Sequence, residues 1–374
     1  MVAKLVVLSI NTSWNIVNFR SGLIRRLQAE GYRVAAISPL DSASAALTGM
    51  GVQHIPIVMD NAGSSPVRDM ALFREYRRIL RQLRPAAFLG WTVKPNVYGS
   101  LAAHSLGIPV INNVSGLGTA FIKRGLLTAI VSGLYRLAFR RSRTVFFQNN
   151  EDRVLFIRKR LVGGAKTRLL PGSGIDLSRF DPAESHCDGP FTFLLVARLL
   201  RDKGVAEYAQ AAAIVRTTRP DVRFALLGFL DVVNRTAITR ADVEAWTAAG
   251  WIDYLGHADD VRPIMRDADC IVLPSYREGM PRTLLEGAAL AKPLIATDVP
   301  GCREIARPGV NALLCRVADA DSLADAMLAM LAMDDDRRQA MGRAGRRIAE
   351  AEFDERIVVD RYLTALDEAL GVNC

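Results

Sequence analysis

Residues 270–286 read Cys-Ile-Val-Leu-Pro-Ser-Tyr-Arg-Glu-Gly-Met-Pro-Arg-Thr-Leu-Leu-Glu, and this stretch carries the pattern on which the fold prediction rests. Its first four residues are apolar without alternation, which is typical of a strand buried on both faces of a parallel sheet. A polar loop containing Gly279 follows, and Pro281 stands where the first turn of a helix tolerates proline. The stretch therefore predicts one strand–loop–helix unit of an α/β fold.

The same unit recurs on both sides of this stretch. Apolar runs alternate with helical patterns, and these runs occupy residues 5–10, 34–38, 86–89, 109–114 and 144–148, then 191–197, 222–227, 251–255, 270–274 and 294–296. Between the two series, residues 171–190 are rich in Gly, Pro and polar residues, as a linker is. The sequence predicts two Rossmann-like, doubly wound α/β domains, 1–170 and 191–352, facing across a cleft. Residues 353–374 are expected to form a helix that crosses back to the first domain.

Composition narrows the class of protein. The 374 residues are 50% hydrophobic and 23% charged, which suits folded domains and excludes a disordered chain. The net charge of +9 is unevenly placed, because residues 1–187 carry +15 and residues 188–374 carry −6. A basic first half points to nucleic acid, an anionic membrane or a phosphorylated ligand as the partner, and charge alone leaves these three open.

The cysteines and the apolar runs indicate the compartment. Five cysteines are spread along the chain without a Cys-x-x-Cys pair, which is typical of reduced thiols in the cytoplasm. The first apolar run is too short for a signal peptide. The longest one, residues 126–139, is shorter than the roughly 20 residues that span a bilayer. We therefore expect a cytoplasmic protein without a transmembrane segment.

Two carboxylates and two cations are the candidate site residues. Glu278 lies on the loop and Glu286 on the following helix, and carboxylates accept hydrogen bonds from the hydroxyls of a sugar or a ribose. Arg198 and Lys203 follow the predicted strand 191–197, where they could neutralise a diphosphate. Each of the four also has a plainer interpretation as a solvated surface charge, and the residues alone leave both interpretations open.

Taken together, these segments resemble family 4 of the retaining glycosyltransferases, which have the GT-B fold. In the second half the resemblance is carried by Ala197-Arg198, Lys203-Gly204, Leu226-Leu-Gly228, Tyr254-Leu-Gly256, Asp269, Val272-Leu-Pro-Ser275, Glu278-Gly-Met-Pro281, Leu285-Glu286, Pro293, Thr297-Asp298, Gly301 and Glu304. In the first half, two motifs look like those of transferases that extend saccharides on undecaprenyl diphosphate in bacterial surface-glycan assembly. They are Lys94-Pro-Asn96 with Gly99, and Gly116-Leu-Gly118 with Phe121.

The resemblance implies a retaining hexosyltransferase with a UDP-sugar donor, a hexose or N-acetylhexosamine as the sugar, and a polyprenyl-diphosphate-linked acceptor. It implies three catalytic residues, of which Arg198 and Lys203 bind the donor diphosphate and Glu278 positions the donor sugar. The other donor contacts that it implies are Glu286 to the ribose and the backbone of Gly279, Met280, Thr283 and Leu284. No metal and no cofactor besides the UDP-sugar are expected, because cations and helix dipoles would neutralise the leaving group.

The first domain departs from the family pattern at two places. Many relatives have a glycine pair in the first βα loop, where this chain has Asn11-Thr12. Many also have an active-site histidine there, and Lys94 is the better candidate here by motif. The acceptor-binding or phosphate-binding residues that we expect are Asn11, Thr12, Lys94, Gly116 and Gly118.

Other ligand classes are not expected. The Asp-x-Asp motifs at 267–269 and 319–321 do not follow a buried strand, and the four histidines lack the spacing of metal ligands. NAD and ATP motifs are not evident either. Nucleic acid is disfavoured because few aromatic residues accompany the basic clusters. The alternatives that remain are a UDP-sugar 2-epimerase on the same fold, a basic nucleic-acid-binding protein and a non-catalytic protein that retains the fold.

The segment 123–143 is basic and amphipathic. Apolar residues recur at helical spacing within 126–139, and the cations around them are Lys123, Arg124, Arg136, Arg140, Arg141 and Arg143. This pattern predicts docking on the inner face of the cytoplasmic membrane, where anionic lipids attract Lys and Arg. A helix packed on its own sheet with a solvated basic rim is the other interpretation, and the two are compatible.

Overall fold

A computed structural model of the protein describes residues 3–60, 65–116, 126–182, 189–230, 234 and 236–372. The chain divides into two compact units, which are unit 1, comprising Met1–Gly174 and Glu355–Cys374, and unit 2, comprising Ile175–Asp354. Each unit contains a parallel sheet with flanking helices. The predicted pair of doubly wound α/β domains and the helical end of the chain are therefore confirmed.

The elements of the described residues are numbered in chain order. The strands are β1 (Leu5–Ser9), β2 (Arg33–Ser38), β3 (Gln53–Pro56), β4 (Ala87–Trp91), β5 (Val110–Val114), β6 (Thr144–Phe147), β7 (Thr167–Leu169), β8 (Thr192–Val196), β9 (Arg223–Leu227), β10 (Asp253–Tyr254), β11 (Cys270–Leu273), β12 (Leu294–Thr297) and β13 (Ala312–Cys315). The α-helices are α1 (Ser13–Ala29), α2 (Ser44–Gly49), α3 (Pro66–Leu83), α4 (Ser100–His104), α5 (Leu126–Phe139), α6 (Asn150–Arg158), α7 (Val205–Arg216), α8 (Arg240–Ala248), α9 (Arg262–Arg266), α10 (Arg282–Ala289), α11 (Pro300–Arg303), α12 (Ala320–Leu331), α13 (Asp335–Glu352) and α14 (Glu355–Leu370).

Strand order creates one switch point in each sheet. The order is β3-β2-β1-β4-β5-β6-β7 in unit 1 and β10-β9-β8-β11-β12-β13 in unit 2. The direction of sheet growth therefore reverses between β1 and β4, and between β8 and β11. Ligands of open α/β sheets bind outside the carboxyl ends of the strands at such a switch point. The segments that follow these four strands are where a site is expected.

The strands build the cores because their side chains point alternately to opposite faces. In β1, Val6 and Leu8 belong to the cluster that α1 and α14 cover, whereas Val7 belongs to the cluster that α3 and α4 cover. All three side chains are fully buried. Burial on both faces favours apolar side chains, which is why most central strands read as continuous apolar runs. In β5, the buried Asn112 and Asn113 are exceptions, and their amides donate to Asn96 and Tyr362.

Three edge strands were not predicted from the sequence. They are β3, β7 and β13, and each lies at an outer edge of its sheet. β3 and β7 contain only three or four residues and are partly exposed, so their sequences mix polar and apolar residues. The helical segment between β4 and β5 is divided, because the π-helix Pro95–Gly99 precedes α4.

Candidate active site

The segments that follow β8 and β11 are in direct contact. After β8 the chain forms the 3₁₀ turn Arg201–Lys203 and enters α7 through Gly204, whose φ is +72°. A Cβ atom on Gly204 would lie 2.1 Å from the carbonyl oxygen of Pro274, which follows β11. The backbone N–H of Tyr276 donates to the carbonyl of Asp202 at 2.9 Å. Only glycine fits at this approach, and the contact fixes the two segments relative to each other.

Lys203 and Glu278 form an ion pair between Nζ and Oε1, although 75 residues separate them in the chain. The Lys203 side chain is 21% exposed and that of Glu278 is 12% exposed. Water screens such a pair less than it screens a pair at the open surface. The structure thus brings together two of the three residues predicted to be catalytic, one a cation and the other a hydrogen-bond acceptor.

Arg198, the third predicted catalytic residue, is not part of this pair. It lies two residues beyond the end of β8 and its side chain is exposed. Within the described ranges, its guanidinium makes no hydrogen bond or ion pair. Arg198 therefore lies at the same carboxyl edge of the sheet as Lys203, and its guanidinium N–H groups face solvent.

The loop that carries Glu278 packs closely against α11. A Cβ atom on Gly301 would lie 2.4 Å from the carbonyl oxygen of Gly279 and 2.5 Å from that of Glu278. Only a residue without a side chain permits this approach. Met280 packs against the core of unit 2. Its side chain therefore supports the loop, and its backbone is the part that can serve a ligand.

The start of α10 faces the end of β8. The helix begins after Pro281, which supplies no side-chain cap, so the first-turn amides are not capped from within the helix. The Thr283 hydroxyl donates to the Val196 carbonyl at 2.9 Å, and Leu284 is fully buried. The side chains of Thr283 and Leu284 are thus used internally, and only their backbone groups can contact a ligand.

Glu286 is paired within its own helix. Arg282 Nε donates to Glu286 Oε1 at 2.8 Å, and the carboxylate side chain is 12% exposed. Burial raises the pKa of Glu286 above its ordinary value, and the neighbouring Arg282 opposes that rise. The carboxylate is therefore fixed in direction and poorly hydrated, as an acceptor in a ligand site should be.

Lys94, at the switch point of unit 1, is also paired. Its Nζ donates to Asp69 Oδ1 at 2.7 Å, and the Tyr98 hydroxyl donates to Asp69 Oδ2 at 2.9 Å. The side chains of Lys94 and Asp69 are only 13% and 14% exposed. The raised pKa of Tyr98, caused by burial and then by Asp69, keeps that phenol protonated. An anion that binds Lys94 must compete with Asp69 for it.

The other predicted residues of unit 1 have local roles. The Thr12 hydroxyl accepts from the Asn15 N–H at 3.1 Å and caps α1, and Asn11 Oδ1 accepts from the Asn15 amide at 3.1 Å. Gly116 follows β5 with a φ of 139°. Gly118 and the pair Lys123-Arg124 lie outside the described residues.

An exposed aromatic pair that the sequence did not predict lies at the same edge of the sheet. Phe229 is 53% exposed and stacks on His257 with ring centroids 4.6 Å apart. The two residues follow β9 and β10, so they lie on the same carboxyl edge as Lys203 and Glu278. In the sequence, each of these residues directly follows a glycine near the end of a strand, Gly228 before Phe229 and Gly256 before His257. That the two residues lie next to each other could be known only from the strand order, in which β10 is the neighbour of β9.

The two Asp-x-Asp motifs have structural partners. Asp269 accepts from the Thr192 N–H at 2.7 Å, and Asp319 caps α12 by accepting from the Ser322 N–H at 2.8 Å. In the part of the chain that the structure describes, no three His, Cys, Asp or Glu side chains gather as metal ligands would. Metal independence stays a prediction. Nor does any described helix have both the length and the apolar character that crossing a bilayer requires.

Family models match both halves of the chain. The model "Glycosyl transferase 4-like" matches residues 6–149, and "Glycosyl transferases group 1" matches residues 190–333. Together they cover about three quarters of the sequence. A solved structure of Anabaena Alr3699/HepE in complex with UDP and glucose has a TM-score of 0.80 at 16% identity, covering 98% of this chain and all of the other. The chain belongs to the glycosyltransferases of family 4, with the GT-B fold.

Curated relatives place this glycosyltransferase in bacterial glycan biosynthesis. The Campylobacter jejuni N,N'-diacetylbacillosaminyl-diphospho-undecaprenol alpha-1,3-N-acetylgalactosaminyltransferase is 26% identical over 95% of this chain and 96% of its own length. The Escherichia coli UDP-Gal:alpha-D-GlcNAc-diphosphoundecaprenol alpha-1,3-galactosyltransferase is 25% identical over 71% of each chain.

Proposed function

We propose that the protein transfers a hexose or N-acetylhexosamine from a UDP-sugar to a polyprenyl-diphosphate-linked saccharide, with retention at the anomeric carbon. The contact between Lys203 and Glu278 carries this proposal. In a nucleotide sugar the ring is bonded directly to the diphosphate, so its site needs a cation for phosphate beside an acceptor for sugar hydroxyls. The pair has both groups in contact at the switch point of unit 2.

The names of the relatives support the choice of substrates. Both curated relatives named above act on undecaprenyl-diphosphate-linked sugars, and one of them names UDP-Gal as its donor. The solved relative binds UDP and glucose. We extend these substrate classes to this chain, with Glu286 as the acceptor of hydrogen bonds from the ribose hydroxyls. Backbone groups of Gly279, Met280, Thr283 and Leu284 add donor contacts.

The proposed reaction takes place on one face of the sugar. The bond between the anomeric carbon and the donor diphosphate breaks, and the acceptor hydroxyl forms the new bond from the same side. The hydroxyl proton passes to the departing diphosphate oxygen. Arg198 and Lys203 stabilise the charge that develops there, and the start of α10 adds a positive dipole. Once phosphate attracts Lys203, Glu278 is released to hold the ring. This scheme uses no metal and no cofactor.

The acceptor is assigned to unit 1. Asn11 and Thr12 follow β1 and Lys94 follows β4, so these residues flank the switch point of that sheet. Lys94 binds the acceptor diphosphate through its ammonium group, and the backbone groups of Gly116 and Gly118 add contacts to the acceptor. Because Asp69 already holds Lys94, the acceptor phosphate gains less than it would from a free lysine. In return, the lysine is held in position before the acceptor arrives.

The membrane surface is the second partner in this proposal, which places the protein on the cytoplasmic face of the inner membrane. On α5, Ile130 and Leu137 are 53% and 55% exposed, and residues seven apart share a helix face. Replacing both with Gln should weaken sedimentation with vesicles that contain phosphatidylglycerol. Replacing the exposed Val67 and Met70 of α3 is the matched control.

The test of the transfer reaction uses purified protein. A panel of nucleotide sugars is screened for protection against thermal unfolding, because a ligand that binds the folded state raises the melting temperature. The protecting donor is then incubated with a polyprenyl-diphosphate-linked saccharide. We expect UDP release that requires the acceptor, and an α-linked product from an α-linked donor by NMR.

Two results would contradict the proposal. Conversion of the donor sugar without an acceptor would indicate the 2-epimerase instead. If Glu278→Gln turns over as fast as wild type, the Glu278 carboxylate has no role in the reaction. Glu352→Gln is the matched control for that variant, because Glu352 forms an ion pair with Arg307 at the open surface.

A further inference from the structure

Unit 1 has a cavity at the edge of the sheet opposite its switch point. Its volume is about 380 Å³, and it is lined by His104, Arg141, Ser142, Arg143, Lys166 and the turn 107–109. These residues directly precede β5, β6 and β7 or end α4, so they lie at the amino ends of the strands. Five residues of a strand span about 15 Å, which separates this cavity from the carboxyl edge with Lys94.

The lining is positively charged. Arg141, Arg143 and Lys166 are cations, and no carboxylate is among the lining residues. Within the residues that the structure describes, none of the three forms an ion pair. The pKa of His104 is lowered by burial, and the charges of Arg141 and Lys166 lower it further, against the hydrogen bond to the Ala138 carbonyl. Three like charges around one cavity repel each other unless an anion binds among them.

The backbone under these cations is fixed. Ser142 is 1% exposed, and its hydroxyl donates to Asn112 Oδ1 at 2.6 Å. The Arg143 N–H donates to the Val110 carbonyl at 2.9 Å. With Ser142 held inward, Arg141 and Arg143 on either side of it are exposed. Lys166 is tied across the same edge, since its Nζ donates to the Arg140 carbonyl at 2.8 Å.

We propose that this cavity binds a phosphate group at a site separate from the donor and acceptor sites. Two arginines offer planar forks that match phosphate oxygens, and Lys166 adds a compact charge. The volume is within the range of small-molecule sites, so a phosphorylated metabolite or the headgroup of an anionic phospholipid fits. The two sources share the phosphate chemistry, and the experiment separates them.

The first arm uses inorganic phosphate on the full chain. His104 reports directly on the cavity, and its NMR signal is assigned by its loss in His104→Gln. Phosphate should shift that signal and raise the pKa of His104 in a saturable way, whereas chloride at equal ionic strength should not. The double variant Arg141→Gln/Arg143→Gln should lose at least about tenfold in phosphate affinity. Arg74→Gln/Arg81→Gln removes two exposed cations from α3 and is the matched control.

The second arm compares vesicles of phosphatidylcholine with and without phosphatidylglycerol. Loss of phosphatidylglycerol-dependent sedimentation in the Arg141/Arg143 variant, but not in the α3 control, identifies a lipid headgroup. Phosphate binding at His104 with unchanged sedimentation identifies a soluble phosphate ligand. If both double variants behave alike in both arms, the proposal is wrong. A cooperative melting transition for each variant verifies that it folds. Because neither arm measures sugar transfer, failure here does not bear on the proposed reaction.

Discussion

Glu278 and Glu286 are equally exposed but are held in different ways. Glu278 depends on Lys203 in another segment, so its position follows from how two loops pack. Glu286 depends on Arg282, four residues earlier on the same helix. An anionic ligand that attracts Lys203 therefore changes the partner of Glu278 and leaves that of Glu286 in place. At the residue scale, we expect the first carboxylate to be released on binding and the second to stay fixed by its helix neighbour.

Replacing Lys203 should impair catalysis far more than replacing its neighbour. Lys203→Ala removes the cation that we propose stabilises the leaving group, and we expect kcat/KM to fall by about 10²- to 10³-fold. It also leaves Glu278 partly buried without its partner, which costs about 1–3 kcal/mol of stability. Arg201→Ala, on the same 3₁₀ turn but exposed, should keep kcat/KM within about twofold of wild type. Steady-state kinetics of UDP release measures both, and equal losses would contradict the assignment.

Glu286→Gln should separate donor binding from stability. Folding raises the pKa of Glu286 above 4.5, so the folded state holds its proton more tightly than the unfolded chain. As pH rises above that value, wild type loses this contribution, whereas the Gln variant has no such proton to lose. The stability of the variant relative to wild type should therefore increase from pH 4 to pH 7, as measured by urea unfolding.

The same variant should bind the donor less well. Loss of a charged hydrogen bond to the ribose predicts a rise in KM of about 10- to 100-fold. Glu350→Gln removes a surface pair with Arg346 of the same i,i+4 spacing and should leave KM unchanged. A pH dependence of stability that is identical in wild type and Glu286→Gln would contradict the raised pKa of this carboxyl group.

The sequence identified the candidate site residues but not the partners that lie far from them in the chain. The spacing of Glu278 and Glu286 is local, and so is the pair of Glu286 with Arg282, because four residues make one helical turn. Lys203 and Glu278 are 75 residues apart, and Asp69 and Lys94 are 25 apart. Such pairs depend on which strands are neighbours, and apolar patterns do not encode strand order.

At the scale of elements, the site depends on how closely two loops approach. Gly204 combines a left-handed backbone with the nearby Pro274 carbonyl, so a side chain there meets two penalties. Central strands were predictable because burial on both faces makes them apolar. The edge strands β3 and β7 escaped prediction because their exposed residues follow no apolar pattern.

Two glycine-to-alanine variants separate these penalties. Gly250, after α8, has a φ of +70°, nearly that of Gly204, but nothing lies within 4 Å of a Cβ built on it. Gly250→Ala should therefore cost only the left-handed conformation, about 1 kcal/mol. Gly204→Ala also drives its Cβ toward Pro274 and should cost more than about 2 kcal/mol. It should lower kcat/KM as well, because Lys203 is the adjacent residue. Equal melting temperatures for the two variants would mean that the close approach contributes nothing.

At the scale of the whole chain, unit 1 is assembled from both ends of the sequence. α14 packs on α1 and contributes Val358, Tyr362 and Leu366 to the core that contains β1 and β4. The net charge follows the same division, since the basic first half forms most of unit 1. That unit holds the basic cavity, Lys94 and the exposed face of α5, whereas the negative charge of the second half lies mostly in unit 2.

Tyr362 is the residue through which α14 is expected to stabilise unit 1. Its hydroxyl accepts from Asn113 Nδ2 at 2.7 Å, and its ring lies 5.5 Å from that of Trp91 and 5.0 Å from that of Phe146. Tyr362→Phe keeps the ring but leaves the buried Asn113 amide without this acceptor, so we expect a loss of about 1–3 kcal/mol. Tyr32→Phe, at a partly exposed site, should change stability by less than about 0.5 kcal/mol.

Hydrogen exchange measured by mass spectrometry shows which of the two units the Tyr362→Phe substitution destabilises. Faster exchange in β4–β6 with unchanged exchange in β8–β12 is the expected result, because Asn113 and Tyr362 both belong to unit 1. Equal acceleration in both sheets would mean that the two units unfold as one, and α14 would then stabilise more than the unit to which it belongs.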